Sequence, residues 1–277
     1  MENKLIVYDS NCKVCSSWKD IVLRFTRIPE TKITAYKDLN ETFTNQVDPA
    51  RFRNAMALVD VTGAPTIYGG EGIAYVFASQ YRWVGKLFHY KPFIRVFDFL
   101  YKTQAYNRYI IATPKSSFQC DCFPEREIKY RVSYIVICAM ISIALTALLG
   151  ISLKPFFETR SATAASQMLL IAGTGWVLQI VLALSMLKDK ALDYIGHLGS
   201  IMVAGLLVIT PWMLFYAITA IFSPILPIIS IACSSALMLY LHVHRARHLQ
   251  ISQVWTVSWF ALLQTTALLW IYLFFIH

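Results

Sequence analysis

The chain has 277 residues, 57% of them hydrophobic, and its 25 Lys and Arg against 16 Asp and Glu leave a formal charge of +9. That length suits one or two domains. The charge divides as +6 before residue 132 and +3 after it, so it is not one basic patch and no nucleic-acid partner is expected.

In chain order, Leu5, Ile6, Val7 and Tyr8 form a short apolar run that predicts a covered strand, and Asp9-Ser10-Asn11 supplies the turn that stops it. Charged Glu2 and Lys4 followed by so short a run are not expected to open a signal peptide. Cys12 and Cys15 come next, in a C-x-x-C. Val14, Trp18, Ile21, Val22 and Phe25 then fall at helical spacing, so a helix is expected to begin at or beside Cys12. Only a thiolate attacks a disulfide, and a thiol with pKa near ~8.5 is mostly protonated at neutral pH. Unpaired N–H groups at a helix start favour the anion. Lys13 adds a positive charge, and Asp9 opposes it unless it accepts a proton. Two intervening residues put the second thiol one helical turn from the first, where it can close a disulfide and release a bound substrate. Half of a zinc site has the same spacing, so a metal reading stays open.

Pro29 ends the helix region, and Lys32 to Tyr36 alternates as a second strand. Asp48-Pro49 opens a short helix through Ala50 to Asn54. Met56 to Val61 is the third strand, Thr62-Gly63 turns the chain, and a proline in Pro65 to Tyr68 suits an edge strand. Gly69-Gly70 permits another turn, and helices are expected over Ile73 to Trp83 and Pro92 to Tyr101. The order β-α-β-α-β-β-α fits a small open sheet with packed helices. From Arg82 to Tyr109 basic residues alternate with aromatic ones. Two readings follow: aromatics in the core with solvated cations, or a segment lying on an anionic membrane surface.

The stretch YDSNCKVC resembles the opening of the DCC family of thiol-disulfide oxidoreductases, a thioredoxin-like group. MALVDVTGAPTIYGGEGIAY resembles that family's strand, Gly turn, second strand and Gly-rich approach to a helix, and AYNRY at Ala105 to Tyr109 resembles its closing segment. The likeness covers about residues 4 to 112. It implies a thioredoxin-like α/β domain over 1–112, with Cys12 as attacking and Cys15 as resolving thiol in a redox enzyme. Tyr8, Asp9, Ser10, Asn11 and Lys13 would shape the site. No dissociable cofactor is implied, only a thiol electron donor and a disulfide-containing substrate. Thioredoxins place a cis-proline just before the third strand, where Arg53, Asn54 and Ala55 stand here.

Residues 113–131 read as a juxtamembrane linker carrying Cys120 and Cys122. They suit a relay to the Cys12-Cys15 pair, a four-thiolate zinc site of Cys12, Cys15, Cys120 and Cys122, or simple juxtamembrane thiols open to lipid modification. Residues 132–277 hold so few charges that an all-α transmembrane domain is expected, in five stretches near 132–153, 166–187, 197–221, 224–243 and 254–276. Only Phe222-Ser223-Pro224 separates the third from the fourth. With the amino-terminal domain inside, inner segments carry Lys115, Arg126, Lys129, Arg131, Lys188, Lys190, Arg245 and Arg247, and outer ones only Lys154 and Arg160. The positive-inside rule then puts the C-x-x-C in the cytoplasm of a cell, with a bacterial membrane expected, where a dithiol serves as reductant.

Within the spans, Cys138 and Cys233 come at similar depth, which would suit a pair passing electrons part-way across the bilayer, or small apolar fillers. His197, His242, His244 and His248 gather near inner helix ends, where interfacial solvation is expected over a metal or haem site. Gln179 and Gln264 are expected to bond across helices, and Gly173, Gly175, Gly196 and Gly199 to admit close helix approach. Three functions remain in view: a membrane-tethered thiol-disulfide oxidoreductase, a zinc-binding or redox-sensing membrane protein without catalysis, and a transmembrane electron carrier.

Overall fold

The strand after the amino terminus, β1 (Lys4–Tyr8), is covered on both faces, which is why its sequence is a continuous apolar run rather than an alternating one. Ile6 packs with Val22, Ile33, Leu58 and Val76 on one face, and Val7 with Val47, Phe52, Ala57 and Val59 on the other. Burying each such aliphatic side chain contributes roughly 1.5–3 kcal/mol. These details come from a computed structural model that describes residues 3–113, 124–157 and 161–275. Cys120 and Cys122 lie outside the described residues. Two units divide the chain, Met1–Tyr134 and Ile135–His277.

In the first unit the sheet order is β2-β1-β3-β4, with β2 at Ile33–Ala35, β3 at Ala57–Asp60 and β4 at Ile67–Tyr68. β1 runs parallel to β2 and antiparallel to β3, and β3 antiparallel to β4. β4 takes the edge, the position expected for a run that opens with Pro65. Between β1 and β2 lies α1 (Lys13–Phe25), which buries Val14, Cys15 and Val22. Ile21 and Phe25, expected on the buried face, are exposed, Phe25 by 55%. Short helices α2 (Glu41–Thr44) and α3 (Pro49–Phe52) follow β2. Asp48 caps α3 by accepting from Ala50 N–H at 2.9 Å, and Asn40 caps the unanticipated α2 by accepting from Phe43 N–H at 3.1 Å.

After β4 come α4 (Gly69–Gln80), α5 (Arg82–His89), α6 (Lys91–Tyr106) and α7 (Arg108–Ile111). The expected turn at Gly69-Gly70 is the first turn of α4. Gly69 has φ of 66°, and a Cβ there would stand 3.0 Å from the Tyr101 ring. The helix expected over Ile73 to Trp83 is broken at Tyr81, whose extended backbone starts α5 in a new direction.

The remaining helices are α8 (Ile128–Ser152), α9 (Lys154–Phe157), α10 (Ser161–Met186), α11 (Ala191–Thr219), α12 (Ile225–His248) and α13 (Val254–Phe275). All but α9 are long and apolar enough to cross a bilayer, which makes five among the described residues and fits a multi-pass membrane protein. The short separation at Phe222 to Pro224 does divide two helices: α11 closes on left-handed Ala220, φ 54°, and α12 opens after Pro224.

Inside the second unit a hydrogen-bond chain crosses four helices. Ser258 Oγ donates to Gln179 Oε1 at 3.1 Å, Gln179 Nε2 to Tyr194 Oη at 2.7 Å, and Tyr194 Oη meets His242 Nε2 at 3.0 Å. His242 Nδ1 then meets Thr256 Oγ1 at 2.9 Å, and Thr256 donates to Gln253. Satisfying these groups among themselves is what admits them to the interior of an apolar bundle. Gln179 thus bonds across helices as expected, whereas Gln264 is exposed. The histidines depart from expectation too. His242 and His197 are buried, with both ring nitrogens of His242 occupied and His197 Nδ1 held 3.0 Å from Arg245.

Close helix approach falls partly on other glycines than those expected. Gly175 and Gly199 are tight, but Gly173 faces open space, and the closest approaches are at Gly150 and Gly205. A Cβ on Gly150 would lie 2.5 Å from Ala164 O and 2.7 Å from Met168 Cβ. Gly150→Ala should therefore force α8 from α10 and cost about 1–3 kcal/mol, whereas Gly173→Ala should be silent. Thermal unfolding of the two variants in detergent checks this, and equal midpoints would contradict the packing.

Candidate active site

The turn Asp9-Ser10-Asn11 ends β1 because Asp9 Oδ1 accepts from the Asn11 backbone N–H at 2.9 Å, and Asp9 O accepts from Cys12 N–H at 3.3 Å. That fold-back makes Cys12 the N-cap residue of α1, with φ −90° and ψ 115°. Its Sγ accepts from the backbone N–H of Cys15 at 3.2 Å, so the thiol takes the place that a serine or aspartate oxygen usually fills. A sulfur so placed meets the positive end of the helix.

The cation beside the pair comes from far along the chain. α6 and α7 return to the sheet and put Arg108 Nη1 3.8 Å from Cys15 Sγ and Nη2 3.7 Å from Asp9 Oδ2. Arg108 and Asp9 are both buried, so their charges act with little screening by water. Tyr109 adds a long hydrogen bond, Oη to Asp9 Oδ2 at 3.5 Å. Tyr109, Ile111 and Ala112 pack over Cys12, Val14 and Cys15, leaving Cys12 1% and Cys15 6% exposed. Beneath the pair is a cavity of about 20 Å³, room for one water molecule, lined by Cys15, Trp18, Met56, Tyr101 and Arg108 among others. Met56 follows Arg53, Asn54 and Ala55, and its N–H donates to Tyr101 Oη at 3.1 Å.

This arrangement separates the two thiols electrostatically. A hydrogen bond from the Cys15 thiol lowers the Cys12 pKa, against burial, with help from Arg108 and the Cys15 N–H and opposition from Asp9. The same hydrogen bond, burial and the Cys12 charge push Cys15 well above the ordinary thiol range. Burial and Asp9 raise Tyr109 to about 12, so it stays a neutral donor. Of the two thiols Cys12 is therefore the more readily ionised, and Cys15 holds its proton the more tightly.

The residues expected to shape the site divide. Asp9 and Asn11 build the turn, Tyr8 packs against the cysteine cluster, and Ser10 is half-buried in the turn. Lys13 is exposed, and the cation next to the thiols is Arg108 instead. Sequence reasoning singled out the AYNRY segment but assigned none of its residues a role. Asn107 holds the start of α8: its Nδ2 donates to Thr103 O and Tyr130 O, and its Oδ1 accepts from Arg131 Nη1 at 2.6 Å. Asn107, Arg108 and Tyr109 thus tie the first turn of α8, the thiol pair and the Asp9 turn in three consecutive residues.

The membrane-embedded cysteines do not share an environment. Cys138 is buried against Gly199 of α11, and Cys233 is exposed on α12. Among the described residues no three His, Cys, Asp or Glu side chains come together as a metal site. Comparison of the chain with protein-family models, curated proteins and solved structures finds no match.

Proposed function

We propose that the first unit is a thioredoxin-like thiol-disulfide oxidoreductase carried on a multi-pass membrane domain. The observation that carries the reading is Cys12 Sγ at the N-cap of α1, accepting from Cys15 N–H beside buried Arg108. The sheet order β2-β1-β3-β4, with β1 parallel to β2 and antiparallel to β3 and with β4 antiparallel at the edge, supports the fold assignment.

Reduction proceeds by two exchanges. Cys12 thiolate attacks one sulfur of a substrate disulfide, forming a mixed disulfide and expelling the first substrate thiolate, which takes a proton from solvent. Cys15 then attacks Cys12 Sγ, its proton passing to the second substrate thiolate as that leaves, and the Cys12–Cys15 disulfide closes. Two electrons have passed from the dithiol to the substrate, and a thiol donor restores the pair. Arg108 offsets the charge as it moves from one sulfur to the other. Because α7 and the residues after it cover Cys12, a protein disulfide reaches the sulfur only when that cover lifts.

The test uses the purified, reduced full chain with a small disulfide in excess. Two equivalents of substrate thiol should appear per chain, with a Cys12–Cys15 disulfide found by mass spectrometry. Failure to release thiol, together with stoichiometric zinc, would replace the enzyme by a binding protein. The compartment has its own test, motivated by the loop-charge bias. In intact cells Cys12 should resist a membrane-impermeant thiol reagent and a reporter fused after His277 should lie outside, since five spans separate the two. Labelling of Cys12 from outside would overturn the orientation.

A further inference from the structure

We propose that the outer face of α5 rests on an anionic lipid surface. α5 divides by helical position. Val84 is buried and Phe88 turns inward, where its ring meets those of Phe93 and Phe97 at 5.3 and 5.0 Å. One flank presents Trp83, Leu87 and Tyr90, spaced i, i+4 and i+7, with Trp83 67% and Tyr90 63% exposed. Arg82 and Lys86 run alongside as a second exposed stripe, and Lys91 and Arg95 in the first turns of α6 are exposed as well. The aromatics of α5 and the start of α6 therefore divide: Phe88, Phe93 and Phe97 pack on one another, and Trp83 and Tyr90 are left outside.

The occupant follows from chemistry. Between residues 81 and 102 the sequence has five Lys or Arg and one acid, Asp98, which pairs with Lys102 at 2.7 Å. Large aromatics carrying a polar atom, set among cations, match the boundary between acyl chains and anionic headgroups. The same chain carries five bilayer-length apolar helices, so α5 belongs to a protein fitted to meet lipid. A protein partner would need acidic groups to answer these cations, whereas a lipid surface supplies them wherever α5 touches. The inference does not depend on the redox reading.

The experiment places the full chain in lipid nanodiscs, either neutral or one-quarter anionic, with acyl chains brominated to quench tryptophan. Trp83 is read as wild type minus Trp83→Phe. Its emission should be quenched in anionic discs and protected there from aqueous acrylamide, and exposed to acrylamide in neutral ones. Replacing Arg82, Lys86 and Lys91 by Gln should release it, each cation weakening the contact by about fivefold at low salt, and added salt should do the same. Equal quenching in both lipids would overturn the electrostatic basis. Trp83 open to acrylamide in anionic discs would make the face a solvated one, and protection without lipid quenching would assign it to a protein surface. Both results reject the proposal. The lipid comparison on the wild-type chain decides even if the triple variant does not fold.

Discussion

Cys12→Ser is expected to reduce turnover of any disulfide to the uncatalysed background, and Cys15→Ser to accumulate a mixed disulfide on Cys12. The asymmetry rests on two separate facts. Cys12 Sγ alone sits at the helix start, where it accepts from a backbone N–H and its pKa is lowered, whereas that of Cys15 is raised. Serine at position 15 keeps a hydroxyl able to donate to Cys12 but cannot attack the mixed disulfide, so the adduct should persist. Cys15→Ala removes that donor as well. Its adduct should form more slowly at neutral pH, because the Cys15 hydrogen bond is the largest cause lowering the Cys12 pKa. Adduct formation with a small labelled disulfide, followed by mass spectrometry over a pH series, separates the three variants. Equal trapping by Cys12→Ser and Cys15→Ser would defeat the assignment of roles.

How much of this was legible in the sequence depends on the distance over which each feature is built. The turn, the N-capping cysteine and α1 are contiguous, and their pattern follows from local chemistry at Asp9, Cys12 and Cys15. The five long helices were legible because bilayer thickness fixes their length and lipid excludes charge. Arg108 was not, since it lies 93 residues from the thiol it approaches and nothing local at either position reports the meeting. The buried histidines escaped for a similar reason. Placed near helix ends, His197 and His242 look interfacial, and only the partners Arg245, Tyr194 and Thr256 from neighbouring helices show how they are accommodated inside. Trp83 and Phe88 are equally apolar by composition, and the tertiary direction of α5 sorts one outward and the other inward.

Arg108→Gln should alter the reduced protein in two opposite ways, which makes it the sharpest test of the site. Losing the guanidinium removes a positive charge that favours the Cys12 thiolate, so the pH at which iodoacetamide alkylates Cys12 should move up toward the ordinary thiol value of about 8.5. Asp9 is left buried with only the Asn11 N–H and the long Tyr109 bond, and removing one partner of a buried pair costs roughly 3–5 kcal/mol. Tyr109 and Ile111 are then held less firmly over Cys12, so a bulky maleimide should gain access at high pH even as the small reagent loses rate at low pH. Stability should follow the same logic. In the wild type Cys12 has a folded pKa below its unfolded value, so its contribution is present above the unfolded pKa and disappears as pH falls through the folded one. Raising that pKa narrows the window and leaves the variant's stability less dependent on pH there. Arg108→Lys, which keeps a charge but not the fork, should fall between wild type and Gln. An alkylation profile unchanged in a folded Arg108→Gln protein would mean that the thiolate owes nothing to Arg108, leaving the residue a packing element of the cover.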